Sequence, residues 1–219
     1  MAETKNIKII IAGGGTGGHI FPAIAIANAM KRLQPACEIL FVGAKGKMEM
    51  EKVPKEGYRI LGLDIAGFNR SSLLKNITLP FKLVKSFLQA NTILNEFKPD
   101  VAVGVGGYAS FPVLYMAQLK GIATLLQEQN SFAGKSNKIL GRKANAICVA
   151  YDGMDSFFPK KPWSIGSNWE YLRLSKSALV PYSGWLLWCD PELTRRVEVL
   201  VLEKKFKEAL DLTFNLFKR

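Results

Sequence analysis

Five glycines, a threonine and the single histidine of the chain follow a short apolar segment near the N-terminus. Residues 12–19 read AGGGTGGH, and a helical pattern of apolar residues begins directly after them. An apolar strand, a glycine-rich turn and a helix together present backbone N–H groups to a phosphate. The helix N-terminus adds partial positive charge. We therefore predict that the backbone amides of this turn bind an anionic ligand, with the imidazole of His19 beside it.

Two other interpretations of this turn stay open at the level of the sequence. The glycines do not follow the G-x-G-x-x-G spacing and no P-loop lysine follows them, so they are also typical of a tight strand-to-helix connection. A single histidine is often a packed or capping residue. The place of His19 directly after the glycines, at the mouth of a crevice, favours acid–base chemistry.

Two further loops carry polar or glycine residues at the ends of predicted strands. Residues 104–110 read GVGGYAS, and Gly106 and Gly107 predict a second glycine cradle, so that two loops would grip two phosphates. Residues 127–130 read QEQN, whose amides could bind sugar hydroxyls while Glu128 orients a base or a substrate hydroxyl. A helix cap is the alternative interpretation of the second run.

The elements that would position these loops are short apolar segments separated by stretches of helical length. This pattern is typical of an α/β fold with a doubly wound, Rossmann-like parallel sheet covered by helices on both faces. Ligands of such sheets bind beyond the carboxyl ends of the strands, where all three loops fall. The predicted strands are residues 8–12, 38–43, 58–63, 100–106, 122–126 and 146–150.

Composition and charge limit the classes of partner. The net charge of +12 over 219 residues favours a phosphorylated substrate or an anionic membrane surface, and solubility alone is the other explanation. No nucleic-acid-binding motif is present, so we expect no nucleic acid partner. Three scattered cysteines suit a reducing cytosol, and with one histidine we expect no metal site. Neither a signal peptide nor a transmembrane segment is predicted.

The segment of residues 71–97 combines apolar and basic side chains. A basic amphipathic helix with aromatic residues is suited to an anionic bilayer surface, whereas an ordinary helix covering the sheet would show a similar pattern. Pro80 is expected to kink or divide this helix. The residues predicted to face a membrane are Leu73, Ile77, Phe81, Lys82, Val84 and Lys85.

Several long motifs, in order, resemble the MurG family of peptidoglycan glycosyltransferases. They are residues 12–23, 106–110 and 128–134, and the resemblance extends from about residue 7 to residue 159. It implies the N-terminal half of a GT-B fold, in which two Rossmann-like halves enclose the active site. It also implies transfer of N-acetylglucosamine from UDP-GlcNAc to lipid I, forming lipid II, by a peripheral enzyme on the cytoplasmic face of the bacterial inner membrane.

The resemblance also assigns roles to individual residues. His19 is a candidate base or charge stabiliser, and Glu128 is the second candidate catalytic residue. Asn130 would contact the donor sugar. No Asp-x-Asp motif is present, and neither a metal nor a cofactor is expected. The remaining substrate-binding candidates, which would contact the donor or a diphosphate, are Thr16, Gly17, Gly18, Gly106, Gly107 and Tyr108.

After residue 159 the chain departs from this family pattern. MurG proteins continue into a donor-binding domain, whereas residues 160–219 contain no glycine-rich donor loop. The codons permitted for residues 181–189, read one base later, allow LIVGGSFGA, which resembles the loop that opens the second domain. We therefore hypothesise that 1–159 form the acceptor and membrane domain and that 160–219 are a frameshifted remnant of the donor domain. A genuinely divergent tail is the alternative, and sequencing the gene decides between them.

The sequence leaves more than one class of function open. A truncated glycosyltransferase of low activity is the leading hypothesis, and a non-catalytic module that binds lipid diphosphates at a membrane is the alternative. A nucleotide-dependent oxidoreductase is disfavoured, because no acidic residue ends the second predicted strand at residues 43–45, where a ribose partner would lie.

Overall fold

A single parallel β-sheet forms the centre of the fold in the computed structural model, which describes residues 6–67, 79–151, 153–158 and 163–164. Its order is β3-β2-β1-β4-β5-β6-β7, and every neighbouring pair of strands is parallel. This is the order of a doubly wound Rossmann-like sheet. The strands are β1 Lys8–Ala12, β2 Glu38–Ala44, β3 Arg59–Leu63, β4 Val101–Gly104, β5 Ala123–Glu128, β6 Ala146–Val149 and β7 Trp163–Ser164.

Helices cover both faces of this sheet, because successive side chains of each strand point to opposite faces. Ile9 and Ile11 pack against α1 in one core, whereas Ile10 packs against α3, α4 and α5 in the other. The helices are α1 Gly17–Leu33, α2 Glu49–Lys55, α3 Leu79–Phe97, α4 Ser110–Leu119 and α5 Lys135–Gly141, and a short 3₁₀ helix spans Met154–Phe157.

The predicted parallel sheet is confirmed, and one of its strands is longer than expected. Gln127 and Glu128, predicted to lie in a loop after the fifth strand, form the last two positions of β5. The pairing of β5 with β4 ends at Leu126, and these two residues continue the ladder with β6 alone by pairing with Cys148 and Val149. Both residues are buried, so pairing with β6 and burial outweigh their polar character.

The two interpretations of the segment 71–97 hold for different turns of α3. Ser86, Ala90 and Leu94 are buried against the sheet, as expected for a covering helix. The first turns instead expose apolar side chains, because Phe81 is 77% exposed and Val84 61% exposed.

Part of the membrane prediction lies outside the described residues. Leu73 and Ile77 are among residues 68–78, which the structure does not describe. Pro80 lies in the first turn of α3 as described, where proline costs no helical hydrogen bond, so Leu79–Phe97 forms one helix that Pro80 does not divide.

The boundary predicted at residue 159 does not coincide with the end of the sheet. Trp163 and Ser164 form β7 and pair with Cys148 and Val149 of β6. Two residues of the segment 160–219 therefore extend the sheet by one short strand. The division into domains at residue 159 and the frameshift hypothesis for 160–219 stay predictions, and residues 165–219 lie outside the described part of the chain.

Candidate functional site

The carboxyl ends of β1, β4 and β5 lie at one edge of the sheet and bring three loops together. Residues 13–16 join β1 to α1, residues 105–109 join β4 to α4, and residues 129–134 join β5 to α5. Since β1 pairs with β4 and β4 with β5, the three loops are neighbours. The site predicted from the sequence is therefore assembled at the edge where doubly wound sheets bind ligands.

The first two of these loops are in direct backbone contact. A Cβ atom at Gly107 would lie 2.1 Å from the carbonyl oxygen of Gly14, and Gly107 has a φ of +82°. A Cβ at Gly13 would lie 2.2 Å from a methyl carbon of Val105. These glycines therefore allow close packing of loop against loop, which is a structural role that the predicted second phosphate cradle did not include.

His19 lies between these two loops. Its Nδ1 is 2.8 Å from Oγ1 of Thr16, and a Cβ at Gly106 would lie 2.7 Å from the ring carbon Cδ2. The imidazole therefore packs directly against the backbone of Gly106. The predicted residues Thr16, His19 and Gly106 are thus brought together, and the hydroxyl of Thr16 fixes the orientation of the ring.

Only part of the glycine turn has N–H groups available to a ligand. The N–H of Gly13 donates to the carbonyl of Val42 at 3.1 Å, and that of Gly15 donates to the carboxylate of Glu49 at 3.0 Å. No acceptor among the described residues takes the N–H of Gly17 or Gly18, at the start of α1. The predicted pocket of amides therefore loses the N–H groups of Gly13 and Gly15, whereas those of Gly14 and Thr16, like those of Gly17 and Gly18, have no acceptor among the described residues.

Glu128 is a buried carboxylate with both oxygens engaged. It is 3% exposed; its Oε1 accepts a hydrogen bond from Nδ2 of Asn130 at 2.8 Å, and its Oε2 accepts one from Nδ2 of Asn137 at 2.9 Å. The backbone N–H of Asn130 also donates to Oε1, at 3.1 Å. These contacts favour a positioning role, in which Glu128 orients the exposed Asn130.

Tyr108 is half-buried between the first glycine loop and the segment that follows β3. A Cβ at Gly15 would lie 2.9 Å from the Tyr108 hydroxyl, and a Cβ at Gly67 would lie 2.5 Å from its ring. The predicted substrate-binding residue thus packs against two glycines, and its hydroxyl lies at the loop that precedes the α1 N-terminus.

Burial lowers the pKa of His19 below its ordinary value of 6.5, while the carboxylates of Glu128 and Glu49 act in the opposite direction. The lowered pKa therefore favours the neutral form of the imidazole at pH 7. A neutral ring has one nitrogen able to accept a proton, as a general base requires.

We predict that His19 titrates below pH 6.5. Because its folded-state pKa lies below its unfolded value, the neutral ring contributes stability in full above pH 6.5, and this contribution is lost as pH falls through the folded pKa. His19 is the only histidine, so its NMR titration is read without assignment, with the urea-unfolded chain as the reference. A folded midpoint at or above that of the unfolded chain would contradict the prediction.

One residue central to this geometry, Glu49, was not among the predicted site residues. It is 1% exposed, and its carboxylate accepts a hydrogen bond from the N–H of Gly15 in the glycine loop. The available signal was an acidic residue at the start of a helix, five residues after the end of a strand that contains Gly43. That spacing alone is also found in solvent-exposed helix N-termini.

The order of strands and the glycine-rich site at the carboxyl edge define a Rossmann-like domain, and its similarity to known proteins identifies it as the N-terminal domain of a GT-B glycosyltransferase. The sequence model of the glycosyltransferase family 28 N-terminal domain matches residues 9–149. The chain therefore belongs to glycosyltransferase family 28, and the predicted resemblance to MurG is confirmed.

Individual relatives agree with this assignment. A protein of Phocaeicola vulgatus, named UDP-N-acetylglucosamine–N-acetylmuramyl-(pentapeptide) pyrophosphoryl-undecaprenol N-acetylglucosamine transferase, is 64% identical over 156 residues. The alignment covers 71% of this chain and 42% of that protein. A Parabacteroides distasonis protein of the same name is 57% identical over 164 residues, which are 75% of this chain and 45% of that protein.

Solved structures share the same fold. The crystal structure of Acinetobacter baumannii MurG superimposes with a TM-score of 0.61 at 28% identity, covering 80% of this chain and 50% of that chain. A UDP-N-acetylglucosamine 2-epimerase from Rickettsia bellii shares the fold with a TM-score of 0.54 at 11% identity, covering 78% of this chain and 50% of that chain. The chain thus spans less than half the length of the curated relatives it matches.

Proposed function

We propose that this chain is the acceptor-binding half of a transferase that moves N-acetylglucosamine from UDP-GlcNAc to lipid I. The observation that carries the proposal is the N-terminus of α1, where the N–H groups of Gly17 and Gly18 have no acceptor among the described residues and lie next to His19. Membership of glycosyltransferase family 28 supports it. The names of the Phocaeicola and Parabacteroides relatives supply the substrate class.

The chemistry of the proposed reaction matches this arrangement. An acceptor hydroxyl attacks the anomeric carbon of the donor sugar, the bond from that carbon to UDP breaks, and the hydroxyl loses its proton. Neutral His19, held by Thr16, is the group that would take this proton. The dipole and free N–H groups at the start of α1 would stabilise a diphosphate.

Asn130 is the proposed contact to the donor sugar. It is exposed at the carboxyl edge, and Glu128 holds both its backbone and side-chain amide groups. An amide fixed in this way can bind a sugar hydroxyl at little further cost in side-chain entropy. Glu128 would therefore contribute to donor binding through Asn130, without touching the donor itself.

The described residues do not include a domain that would bind the donor. We propose that residues 160–219 are a frameshifted remnant of the donor domain. Sequencing the gene tests this directly: the proposal requires a shifted reading frame that encodes a donor domain. A reading frame without such a shifted match would refute it.

The exposed turns of α3 are proposed to rest on the anionic cytoplasmic face of a membrane. Phe81, Val84 and Leu88 are 77%, 61% and 64% exposed, and Lys82 lies among them. Asp64 forms an ion pair with Lys85 at 2.8 Å, which partly neutralises that lysine. Among the described residues, every helix falls short of the length or the apolar character that crossing a bilayer requires.

Vesicle binding tests this surface. Phe81→Ser removes a side chain that would be buried at the membrane, so its partitioning onto phosphatidylglycerol vesicles should fall about tenfold or more. Met48→Ser is the matched control, because Met48 is 43% exposed on the segment before α2. Equal flotation of both variants, or equal binding to phosphatidylcholine vesicles, would contradict the proposal.

A non-catalytic module that binds lipid diphosphates is the second candidate. It is favoured by the same free N–H groups, which can bind a diphosphate without a catalytic residue. Binding and turnover of a short-chain lipid I analogue separate the two. Binding that His19→Ala retains, without turnover by either protein even when a donor domain is supplied, identifies a module.

A further inference from the structure

Glu49 is a buried carboxylate that the proposed mechanism does not use. It is the first residue of α2 and only 1% exposed, whereas Glu51, two residues later, is exposed. A buried charged group is costly unless hydrogen bonds compensate it. The hydrogen-bond partners of Glu49 therefore indicate its role in the structure.

Both oxygens of Glu49 accept backbone hydrogen bonds from different elements. Oε1 accepts the N–H of Ala44, at the end of β2, at 2.9 Å. Oε2 accepts the N–H of Gly15, in the first glycine loop, at 3.0 Å. The carboxylate thus ties the glycine loop to the neighbouring strand, just before the free N–H groups of the α1 N-terminus.

The glycines next to this carboxylate leave room for it because they have no side chain. A Cβ at Gly14 would lie 2.3 Å from Oε1, and a Cβ at Gly43 would lie 2.5 Å from Cγ of Glu49. At Gly14 and Gly43, the absence of a side chain therefore makes room for the Glu49 side chain and does not serve the approach of a ligand.

We propose that Glu49 is a positioning residue that sets the conformation of the glycine loop and directs an anionic ligand to the α1 N-terminus. Its carboxylate already occupies the N–H of Gly15, so this N–H is not available to a diphosphate, whereas those of Gly17 and Gly18 have no acceptor among the described residues. This inference rests on the proposed diphosphate site.

The test compares Glu49→Gln with Glu51→Gln, which removes the same charge from the exposed side of the same helix. The amide that replaces the Glu49 carboxylate has one acceptor oxygen and cannot accept both N–H groups, so the affinity for inorganic pyrophosphate should fall about tenfold or more. At least one of the amide protons of Gly15 and Ala44 should shift upfield and exchange faster. Glu51→Gln should leave both unchanged, with circular dichroism confirming that all proteins are folded.

A second measurement uses only the unaltered chain, in case Glu49→Gln does not fold. On addition of pyrophosphate, the amide resonances of Gly17 and Gly18 should move most while Gly15 stays protected from exchange. A larger response at Gly15 would overturn the inference, and so would equal pyrophosphate affinity of the Glu49→Gln variant. Absence of any pyrophosphate binding by the unaltered chain would overturn the proposed diphosphate site itself and this inference with it.

Discussion

The 219-residue chain, assayed with UDP-GlcNAc and a short-chain lipid I analogue, is expected to turn over at least about 10⁴-fold more slowly than the full-length Phocaeicola vulgatus relative. The physical reason is that the described residues form one wall of a cleft. A donor held by one wall is neither oriented against the acceptor hydroxyl nor shielded from water. The measurement is release of UDP by both proteins at equal concentration.

Joining residues 1–159 to the C-terminal half of that relative supplies the second wall. We expect this fusion to recover turnover, and His19→Ala within it to lower kcat about 10²–10⁴-fold, as removal of a general base does. The matched control is Lys143→Ala, an exposed substitution after α5. Full activity of the isolated chain, or an unaffected His19→Ala fusion, would refute the assignment of roles.

The second large effect is expected from Gly107→Ala. An alanine there would be strained at a φ of +82° and would place its Cβ 2.1 Å from the backbone oxygen of Gly14. The backbone strain costs about 1–2 kcal/mol and forced overpacking about 1–3 kcal/mol. Both glycine loops would have to separate, so ligand binding should be lost together with several kcal/mol of unfolding free energy.

Gly121→Ala is the matched control for this substitution. Gly121 has a φ of +71°, and a Cβ placed there would have no atom within 4 Å, so only the backbone strain applies. Urea unfolding of the two variants separates the contact between loops from the strain of the backbone. If both variants lose the same free energy of unfolding, the close packing of Gly107 against Gly14 does not contribute to stability.

Much of the fold could be predicted because its signals are local. The central strands of the sheet are short, apolar and buried on both faces, as for Ile9 to Ile11, and the face of α1 that contains Ile20 and Ala27 is buried as its spacing indicates. The end of β5 could not be predicted. Gln127 and Glu128 are polar, and their pairing with Cys148 and Val149 of β6 makes them strand residues.

The sequence predicts where in the fold the candidate site lies, but it does not predict which contacts the residues of the site make. The glycine runs and His19 mark the carboxyl edge of the sheet. The sequence does not show that Gly107 serves contact between loops, because its contact is with Gly14, which is distant along the chain. The same holds for Glu49, whose partner Gly15 is thirty-four positions away and whose burial depends on how α2 packs.

The diphosphate site at the α1 N-terminus is tested most directly by a crystal structure of the chain with geranyl diphosphate. We predict phosphate oxygens about 3 Å from the backbone nitrogens of Gly17 and Gly18, with the His19 ring beside them. A diphosphate bound only to surface lysines, with the start of α1 in contact with solvent alone, would contradict the proposed site.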